Sequence, residues 1–253
     1  MNIRLVGRMV SSILFVTEVF MIPSLVLCCV DGDHEVAMAF LASMAVISLI
    51  AGALYIFGRK RDERFSARDG FVTVALAWVL ISLLCGLPFY FSSEIPSYVD
   101  AVFEIVSGFT TTGASVLPDV ESLSRGVLYW RSFSHWLGGM GILVFTLAVV
   151  PANRNSGGTL YLMRAESPGP SVGKLTPRIR QTAMILYGLY ILLTILCIVF
   201  LLAGGMPLFD SVCTAFGTAG TGGFGIKNDS MASYSPYLQN VCTVFMLLFG
   251  VNF

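Results

Sequence analysis

Two short runs of threonine and glycine contain the residues of this sequence that could bind a cation. The first lies in Asp100–Ser115 (DAVFEIVSGFTTTGAS), a stretch too short and too polar to cross a membrane. Non-helical backbone is tolerated at membrane depth only where it is buried in protein or lines a water-filled path. A short helix followed by this run therefore predicts a re-entrant loop, whose free backbone carbonyls can bind a ligand.

The second run repeats the first one farther along the chain. Asp210–Gly225 (DSVCTAFGTAGTGGFG) aligns with it without a gap when the chain is shifted by 110 residues. In this alignment Asp100 coincides with Asp210, Thr111 with Thr221, and Gly113 with Gly223. Each run also lies between two apolar segments. The sequence therefore predicts a unit of helix, pore loop and helix that is used twice.

The backbone carbonyls of these loops are the ligands that we predict for a cation. Carbonyl oxygens can replace the water shell of a permeating ion without placing a fixed charge in the membrane. Glycine at the end of each run allows the backbone angles that point successive carbonyls the same way. The predicted donors are four residues in each loop: Thr110, Thr111, Thr112 and Gly113, with Gly220, Thr221, Gly222 and Gly223.

Three acidic residues are placed to support these loops. Asp100 and Asp210 are suitable N-caps for the two short helices, whose negative C-terminal ends then favour a cation at the membrane centre. Glu104 lies one helical turn after Asp100, and an acidic group at this depth indicates a function. Glu104 could attract the ion directly, or its hydrogen bonds could hold the loop in place.

The composition is that of a membrane protein. Hydrophobic residues make up 56% of the chain and charged residues 12%, with a mean hydropathy of +0.81, whereas soluble domains contain about 25% charged residues. The formal net charge is zero, so nothing indicates a nucleic-acid partner, and the six cysteines form no C-x-x-C pair. Six segments approach the roughly 20 apolar residues that a membrane-crossing helix needs: Met9–Val30, Val36–Phe57, Phe71–Phe91, Gly126–Val150, Gln181–Ala203 and Pro236–Phe253.

The distribution of charges predicts how the chain crosses the membrane. Basic residues concentrate in short cytoplasmic loops, so the alternate connections that carry twelve of the 15 should be cytoplasmic, together with the N-terminus. These residues are Arg4, Arg8, Arg59, Lys60, Arg61, Arg64, Arg68, Arg154, Arg164, Lys174, Arg178 and Arg180. The opposite side carries ten of the 15 acidic residues. Both loops are therefore expected to open from the outer face.

The predicted fold is an all-α integral membrane protein with an N-terminal helical hairpin and two helix–pore-loop–helix units. Residues 1–68 form the hairpin, since the tight acidic connection between its helices contains no Thr/Gly run. Residues 69–150 and 178–253 form the two units. Residues 151–177, rich in proline and glycine, form a cytoplasmic linker between them. The linker is either a solvated connection or a docking surface for a partner.

Four stretches of the sequence resemble one family of membrane proteins: FEIVSGFTTTGAS, YWRSFSHWLGGMGILVF, KLTPRIRQTAMILYGLY and AFGTAGTGGFG. They are similar to the Trk/Ktr/HKT superfamily of potassium transporters, and most closely to its TrkH-type membrane subunits. The resemblance implies potassium as the transported ion, because glycine at the first glycine position of a filter accompanies potassium and serine accompanies sodium. It also implies the inner membrane, no covalent cofactor, and a cytoplasmic nucleotide-binding ring of the TrkA type as partner.

The family carries four such units in one polypeptide, whereas this sequence contains two. Because the last apolar run stops without a cap or a basic anchor, we expect a fragment, the N-terminal half of a longer transporter. Alternatively, a homodimer completes the four units. In either case ions move down their electrochemical gradient or in symport with a coupled cation. A third hypothesis is a non-conducting scaffold or regulator that binds a nucleotide-binding partner through its linker.

A histidine after the first loop raises an alternative from another class of protein. His135, with Ser107 or Ser134, could be proposed as the dyad of an intramembrane serine hydrolase. Ser107 does not lie in a G-x-S-G turn. Ser134 adjoins His135 in sequence, and adjacent residues of a helix do not face each other. The sequence therefore favours a transporter over an enzyme.

Glycines and two basic residues near the loops leave two interpretations each. Gly138, Gly139 and Gly141 indicate either close helix packing in the bilayer or a bend that narrows the permeation path. Arg131 and Lys227 are expected to extend to the membrane interface, or to tune the passage of cations beside the loops.

Overall fold

The computed structural model describes residues 2–58, 67–141 and 176–251. Within these ranges every regular element is an α-helix, as the fold class predicts. The helices are α1 (Ile3–Val19), α2 (Ile22–Asp31), α3 (His34–Phe57), α4 (Ala67–Leu84), α5 (Leu87–Phe91), α6 (Tyr98–Phe109), α7 (Arg125–Met140), α8 (Thr176–Ala203), α9 (Leu208–Ala219) and α10 (Pro236–Phe249). The predicted linker falls almost entirely outside the described residues, which resume at the start of α8.

The N-terminal part is a helical hairpin whose first arm has a break. α1 ends and α2 begins near Pro23, because a proline in the first turn of α2 has no N–H group to continue the hydrogen bonding of α1. The two helices together form an apolar segment of 29 residues, which begins earlier than predicted. The second arm, α3, packs against α1, where the Ser11 hydroxyl donates to the Ala51 carbonyl at 2.7 Å.

Four segments of the described chain are long and apolar enough to cross a membrane: Ile3–Asp31, His34–Phe57, Arg68–Phe91 and Met184–Ala203. Only 22–39% of each of these segments is buried inside the protein. Exposed apolar surface on this scale is what helices in contact with lipid require. The third segment has a break at Cys85 and Gly86, between α4 and α5.

The prediction of one continuous helix over Gly126–Val150 is wrong. α7 ends at Met140, since Gly141 has a φ of 75° and a ψ of 113°, outside the helical region. Residues 142–150 lie outside the described residues. Apolar composition alone could not reveal this boundary, because a glycine that ends a helix leaves the hydropathy nearly unchanged. α10 likewise ends at Phe249, before the predicted end of its span.

Two helix–loop–helix units follow from the sequence repeat. α6 and α9 contain 12 residues each, and their first residues are 110 positions apart. α7 and α10 both follow a serine N-cap, Ser124 or Ser235, whose hydroxyl accepts a hydrogen bond from a backbone N–H in the first turn. α7 packs against both α6 and α9, so it connects the first unit to the second.

The packing around α7 is mainly aromatic. The Trp130 ring lies 6.3 Å from the Phe109 ring of α6, and the Phe133 ring lies 5.3 Å from the Phe216 ring of α9. The buried Trp130 indole donates to the Cys85 carbonyl at 3.0 Å, so its polar group is satisfied. These contacts hold α7 between the two short helices that precede the loops.

Candidate cation site at the paired loops

The first loop (residues 110–116) turns back immediately after α6. The Thr110 and Thr111 amides donate to the carbonyls of Val106 at 2.8 Å and Gly108 at 2.9 Å. Thr111 then has a φ of 53° and Gly113 a φ of 73°. A positive φ is uncommon for a β-branched residue and costs about 1–3 kcal/mol. The contacts around the loop must therefore hold it in this conformation.

The second loop (residues 220–226) has the same backbone as the first. Thr221 has a φ of 58° and Gly223 a φ of 70°. The Gly223 amide donates to the Gly217 carbonyl at 3.2 Å, as the Gly113 amide donates to the Ser107 carbonyl at 3.4 Å. The alignment of the two sequence runs therefore corresponds to a repeat of the backbone at these positions.

The structure brings the two sets of predicted donors together. A methyl group on Gly113 would overlap the Gly222 carbonyl, and one on Gly222 would lie 2.6 Å from the Thr111 carbonyl oxygen. Side chains at these glycines would separate the loops. Their absence allows the two backbones to approach. Such an arrangement can bind a cation without a charged side chain.

Glu104 holds the first loop from behind. Its side chain is 0% exposed. One carboxylate oxygen accepts from the Ser115 hydroxyl at 2.7 Å and from the Val116 amide at 2.6 Å, and the other accepts from Arg131 Nε at 2.9 Å. Three charge-assisted hydrogen bonds satisfy a carboxylate that burial alone would strongly disfavour. Of the two roles considered for Glu104, these contacts favour bracing of the loop.

Arg131 extends the same brace to the second loop, and the expectation that it reaches the membrane interface is wrong. Its side chain is 2% exposed. Nη1 donates to the Gly225 carbonyl at 2.5 Å, and the guanidinium carbon lies 3.5 Å from the centroid of the Phe224 ring. Lys227 lies nearby with its ammonium 4.8 Å from the Tyr234 ring. The sequence gives no signal of the bond between Arg131 and Gly225, since these residues are 94 positions apart.

The predicted capping roles of Asp100 and Asp210 are also wrong. Each lies within the first turn of its helix, because the N-caps are Ser97 for α6 and Pro207 for α9. The Ser97 hydroxyl accepts from the Asp100 amide at 3.4 Å. Asp210 accepts from the Tyr234 hydroxyl at 3.1 Å. Both carboxylates are nonetheless close to the positive end of a helix, where a negative charge is stabilising.

Asn228 joins the segments that follow the two loops. Its side-chain oxygen accepts from the Val120 amide at 2.7 Å, and its side-chain nitrogen donates to the Asp119 carboxylate at 2.8 Å. The Asn228 amide in turn donates to Glu121 at 3.0 Å. The hydrogen bond from Asn228 is the main cause that lowers the pKa of Asp119. Sequence reasoning missed Asn228, since an isolated asparagine after a glycine run predicts no more than a turn.

His135 reaches the second loop from α7. Its side chain is 0% exposed, and Nε2 accepts a hydrogen bond from the Gly222 amide at 3.2 Å. The proposed serine partners are bonded elsewhere: the Ser134 hydroxyl donates to the Arg131 carbonyl at 2.7 Å, and the Ser107 hydroxyl to the Ala114 carbonyl at 2.5 Å. The structure therefore does not form the hydrolase dyad, and His135 contacts a loop instead.

Gly138 and Gly139 allow α7 to approach the end of α6 and the start of the second loop, which supports the packing interpretation of these glycines. A methyl group on Gly138 would overlap the carbonyl of Phe109, at the end of α6. A methyl group on Gly139 would lie 3.2 Å from the Gly220 Cα and would overlap the Tyr190 hydroxyl. α7 thus packs closely against the C-terminal ends of α6 and α9.

The second unit contains a cleft where the first unit contains its buried ion pair. Thr214 and Cys242 occupy the helix positions that correspond to Glu104 and Arg131. Both line a cleft of about 390 Å³ between α9, the second loop and α10. The second unit therefore lacks the internal brace of the first, and its loop depends on α7 of the first unit.

Fold and site together define a class of protein. The chain is a helical membrane protein with two structurally equivalent helix–loop–helix units, whose loops meet at a pair of glycines. The family profile described as "TrkH: Cation transport protein" matches residues 36–253. The chain belongs to this family of ion transporters, as its motifs predict.

Curated relatives match the whole chain but only part of their own length. The Trk system potassium uptake protein TrkG of Escherichia coli strain K12 is 35% identical over 255 residues, covering 100% of this chain and 52% of that protein. The corresponding TrkH of the same strain is 38% identical, covering 99% and 51%. The crystal structure of the potassium transporter TrkH from Vibrio parahaemolyticus has a TM-score of 0.81 at 32% identity, covering 98% of this chain and 50% of that one. The chain spans about half the length of these relatives.

Proposed function

We propose that this chain forms two walls of a potassium pathway across the cytoplasmic membrane. The observation that carries the proposal is the pair of equivalent loops, whose backbones meet at Gly113 and Gly222. The relatives with these loops are named as potassium uptake proteins. In this proposal the carbonyls of 110–113 and 220–223 replace the water shell of potassium, and no covalent cofactor takes part.

The same proposal specifies the orientation of the protein. The basic connections place the N-terminus in the cytoplasm, and the two loops open from the outer face. The C-terminal ends of α6 and α9 lie next to the loops, so their partial negative charge favours a cation there. The cytoplasmic linker would contact a nucleotide-binding ring of the TrkA type. It falls almost wholly outside the described residues.

Two loops supply half of the four walls that the family resemblance implies. The remaining two would come from further units of a longer polypeptide or from a second copy of this chain. A non-conducting scaffold is the competing function, and it does not depend on the conformation of the loops. The proposed potassium pathway does depend on this conformation, because its geometry requires the close approach at Gly113.

The test is potassium uptake in a strain that lacks its own potassium transporters. The 253-residue chain and a version extended through the downstream reading frame are each compared with their Gly113→Ala variants. Gly205→Ala is the matched control, because Gly205 also has a positive φ, of 84°, but has no atom within 4 Å of an added methyl group.

We expect Gly113→Ala to abolish uptake in every form that transports potassium, whereas Gly205→Ala retains it. Rescue by the extended version alone would assign the remaining walls to the same polypeptide, and rescue by the short chain would assign them to a second copy. If neither wild-type form transports potassium although both are present in the membrane, the proposal is wrong. If Gly113→Ala took up potassium as the wild type does, the potassium pathway would not depend on these loops.

A further inference from the structure

We infer that His135 takes the place, in the second loop, of the two threonine side chains that support the first loop, and thereby orients the Gly222 peptide. This inference rests on the proposed potassium pathway and assigns a positioning residue to it. The first loop reads Thr-Thr-Thr-Gly at 110–113, and the second reads Gly-Thr-Gly-Gly at 220–223. The loops therefore differ only at the first and third positions of the run.

The first loop uses its own side chains at these positions. The hydroxyl oxygens of Thr110 and Thr112 lie 2.8 Å apart, within hydrogen-bond distance of each other. The Thr110 hydroxyl also lies 2.7 Å from the Val106 carbonyl, to which it can donate. These contacts connect the loop to the end of α6. The loop is thus held partly by residues within it.

The second loop has glycine at both positions, although its backbone does not require glycine there. Gly220 has a φ of −74°, and Gly222 is absent from the residues with a positive φ. Any residue could adopt these conformations without the strain that applies at Gly223. Another contact must therefore exclude the side chains.

The imidazole of His135 excludes side chains at both glycines. A methyl group on Gly220 would overlap the imidazole Cδ2, and one on Gly222 would overlap the imidazole Cε1 and also lie 2.6 Å from the Thr111 carbonyl oxygen. The ring edge thus fills the space that threonine side chains occupy in the first loop. Its Nε2 accepts from the Gly222 amide at 3.2 Å, and the ring stacks on Phe224 with a centroid separation of 5.3 Å.

The hydrogen bond determines the tautomer of His135. Because Nε2 accepts from an amide, it carries no proton, so the proton of the neutral ring is on Nδ1. Through this bond His135, from α7 of the first unit, connects the two units without adding a positive charge beside a cation path.

The test measures discrimination between potassium and sodium in whichever form of the protein transports potassium. His135→Leu removes the acceptor, whereas His135→Gln places an amide oxygen near the position of Nε2. We expect His135→Leu to lose discrimination by about tenfold, the effect of leaving a buried amide without its acceptor. His135→Gln should retain most of it. Thr194→Val is the matched control, since it removes a buried hydrogen bond from the Trp136 indole, 3.0 Å long, that touches neither loop.

A second set of variants tests the exclusion of side chains by the imidazole. Gly220→Ala should impair transport in the presence of His135, because the added methyl group would overlap the ring. The same change combined with His135→Ala should recover part of the transport, because the ring is then absent. The inference is wrong if Gly220→Ala is tolerated beside His135. It is also wrong if His135→Leu transports potassium with the discrimination of the wild type, a result that leaves the proposed function intact.

Discussion

The two helix–loop–helix units share a backbone but differ in what holds it in place. In the first unit, Glu104 and Arg131 form a buried ion pair directly behind the loop. In the second unit the same helix positions carry Thr214 and Cys242, which line a cleft. The second loop is instead held by Arg131 and His135, both from α7 of the first unit. Repeated backbone geometry thus does not imply repeated support.

This difference gives α7 a special position among the helices that follow a loop. α7 supports the first loop through Glu104 and contacts the second loop directly, whereas the equivalent α10 lines the cleft of its own unit. The first unit can therefore transmit a change in one loop to the other through α7. The comparison predicts that equivalent substitutions in the two units have unequal effects, and that the first unit is the more sensitive.

The largest effect is expected from breaking the buried ion pair of the first unit. Glu104→Gln leaves the Arg131 charge buried without its partner, and we expect a loss of about 3–5 kcal/mol in the free energy of unfolding. Thermal unfolding of the purified protein in detergent measures this loss. The equivalent change in the second unit, Thr214→Val, should cost less than about 1 kcal/mol, because the hydroxyl lines an open cleft.

A double variant sharpens this result. Removing both charges with Glu104→Gln and Arg131→Met should recover much of the stability, since no buried charge then lacks a partner. The Gly225 carbonyl would still lose its donor. If Glu104→Gln and Thr214→Val lowered the free energy of unfolding equally, the ion pair would not make the first unit more sensitive than the second.

A smaller effect is expected at the contact between α7 and the end of α6. Gly138→Ala forces a methyl group against the Phe109 carbonyl, and overpacking of this kind costs about 1–3 kcal/mol. Gly188→Ala in α8 is the control, because nothing lies within 4 Å of its added methyl group. There, alanine should stabilise the helix by about 0.5–1 kcal/mol. Equal unfolding temperatures for the two variants would contradict close packing at Gly138.

The smallest effect concerns pH and the contact between the segments that follow the two loops. The hydrogen bond from Asn228 is the main cause that lowers the pKa of Asp119 from its ordinary value of 3.8. A lowered carboxyl pKa adds stability above the ordinary value, and this is lost as the pH falls through the lowered one. We expect Asn228→Ala to raise the Asp119 pKa toward 3.8 and to lower the stability slightly near neutral pH, whereas this contribution disappears below the lowered pKa.

An NMR titration of labelled aspartate carboxyls measures the shift directly. Ser233→Ala is the control, because the Ser233 hydroxyl donates to Asp229 at 3.3 Å and not to Asp119. An Asp119 pKa that is the same in the wild type and in Asn228→Ala would show that this hydrogen bond does not form in solution.

The predictions that succeeded depended on patterns within short stretches. The repeat located α6 and α9, since an alignment without a gap requires equal element lengths. The bracing role considered for Glu104 agrees with its contacts, because a carboxylate at that depth needs donors. The helix starts were wrong by three residues: Asp100 and Asp210 are good capping types, but Ser97 and Pro207 come first in the chain.

The sequence by itself determined the helical membrane fold, the two units and the positions of the loops, because hydropathy and a repeat are properties of neighbouring residues. Only the tertiary structure decided which residues support the loops. Arg131 reaches Gly225 across 94 residues of sequence, and His135 reaches Gly222 across 87. Such contacts arise when α7 packs between two units, and no periodicity within one segment records which side chains then meet.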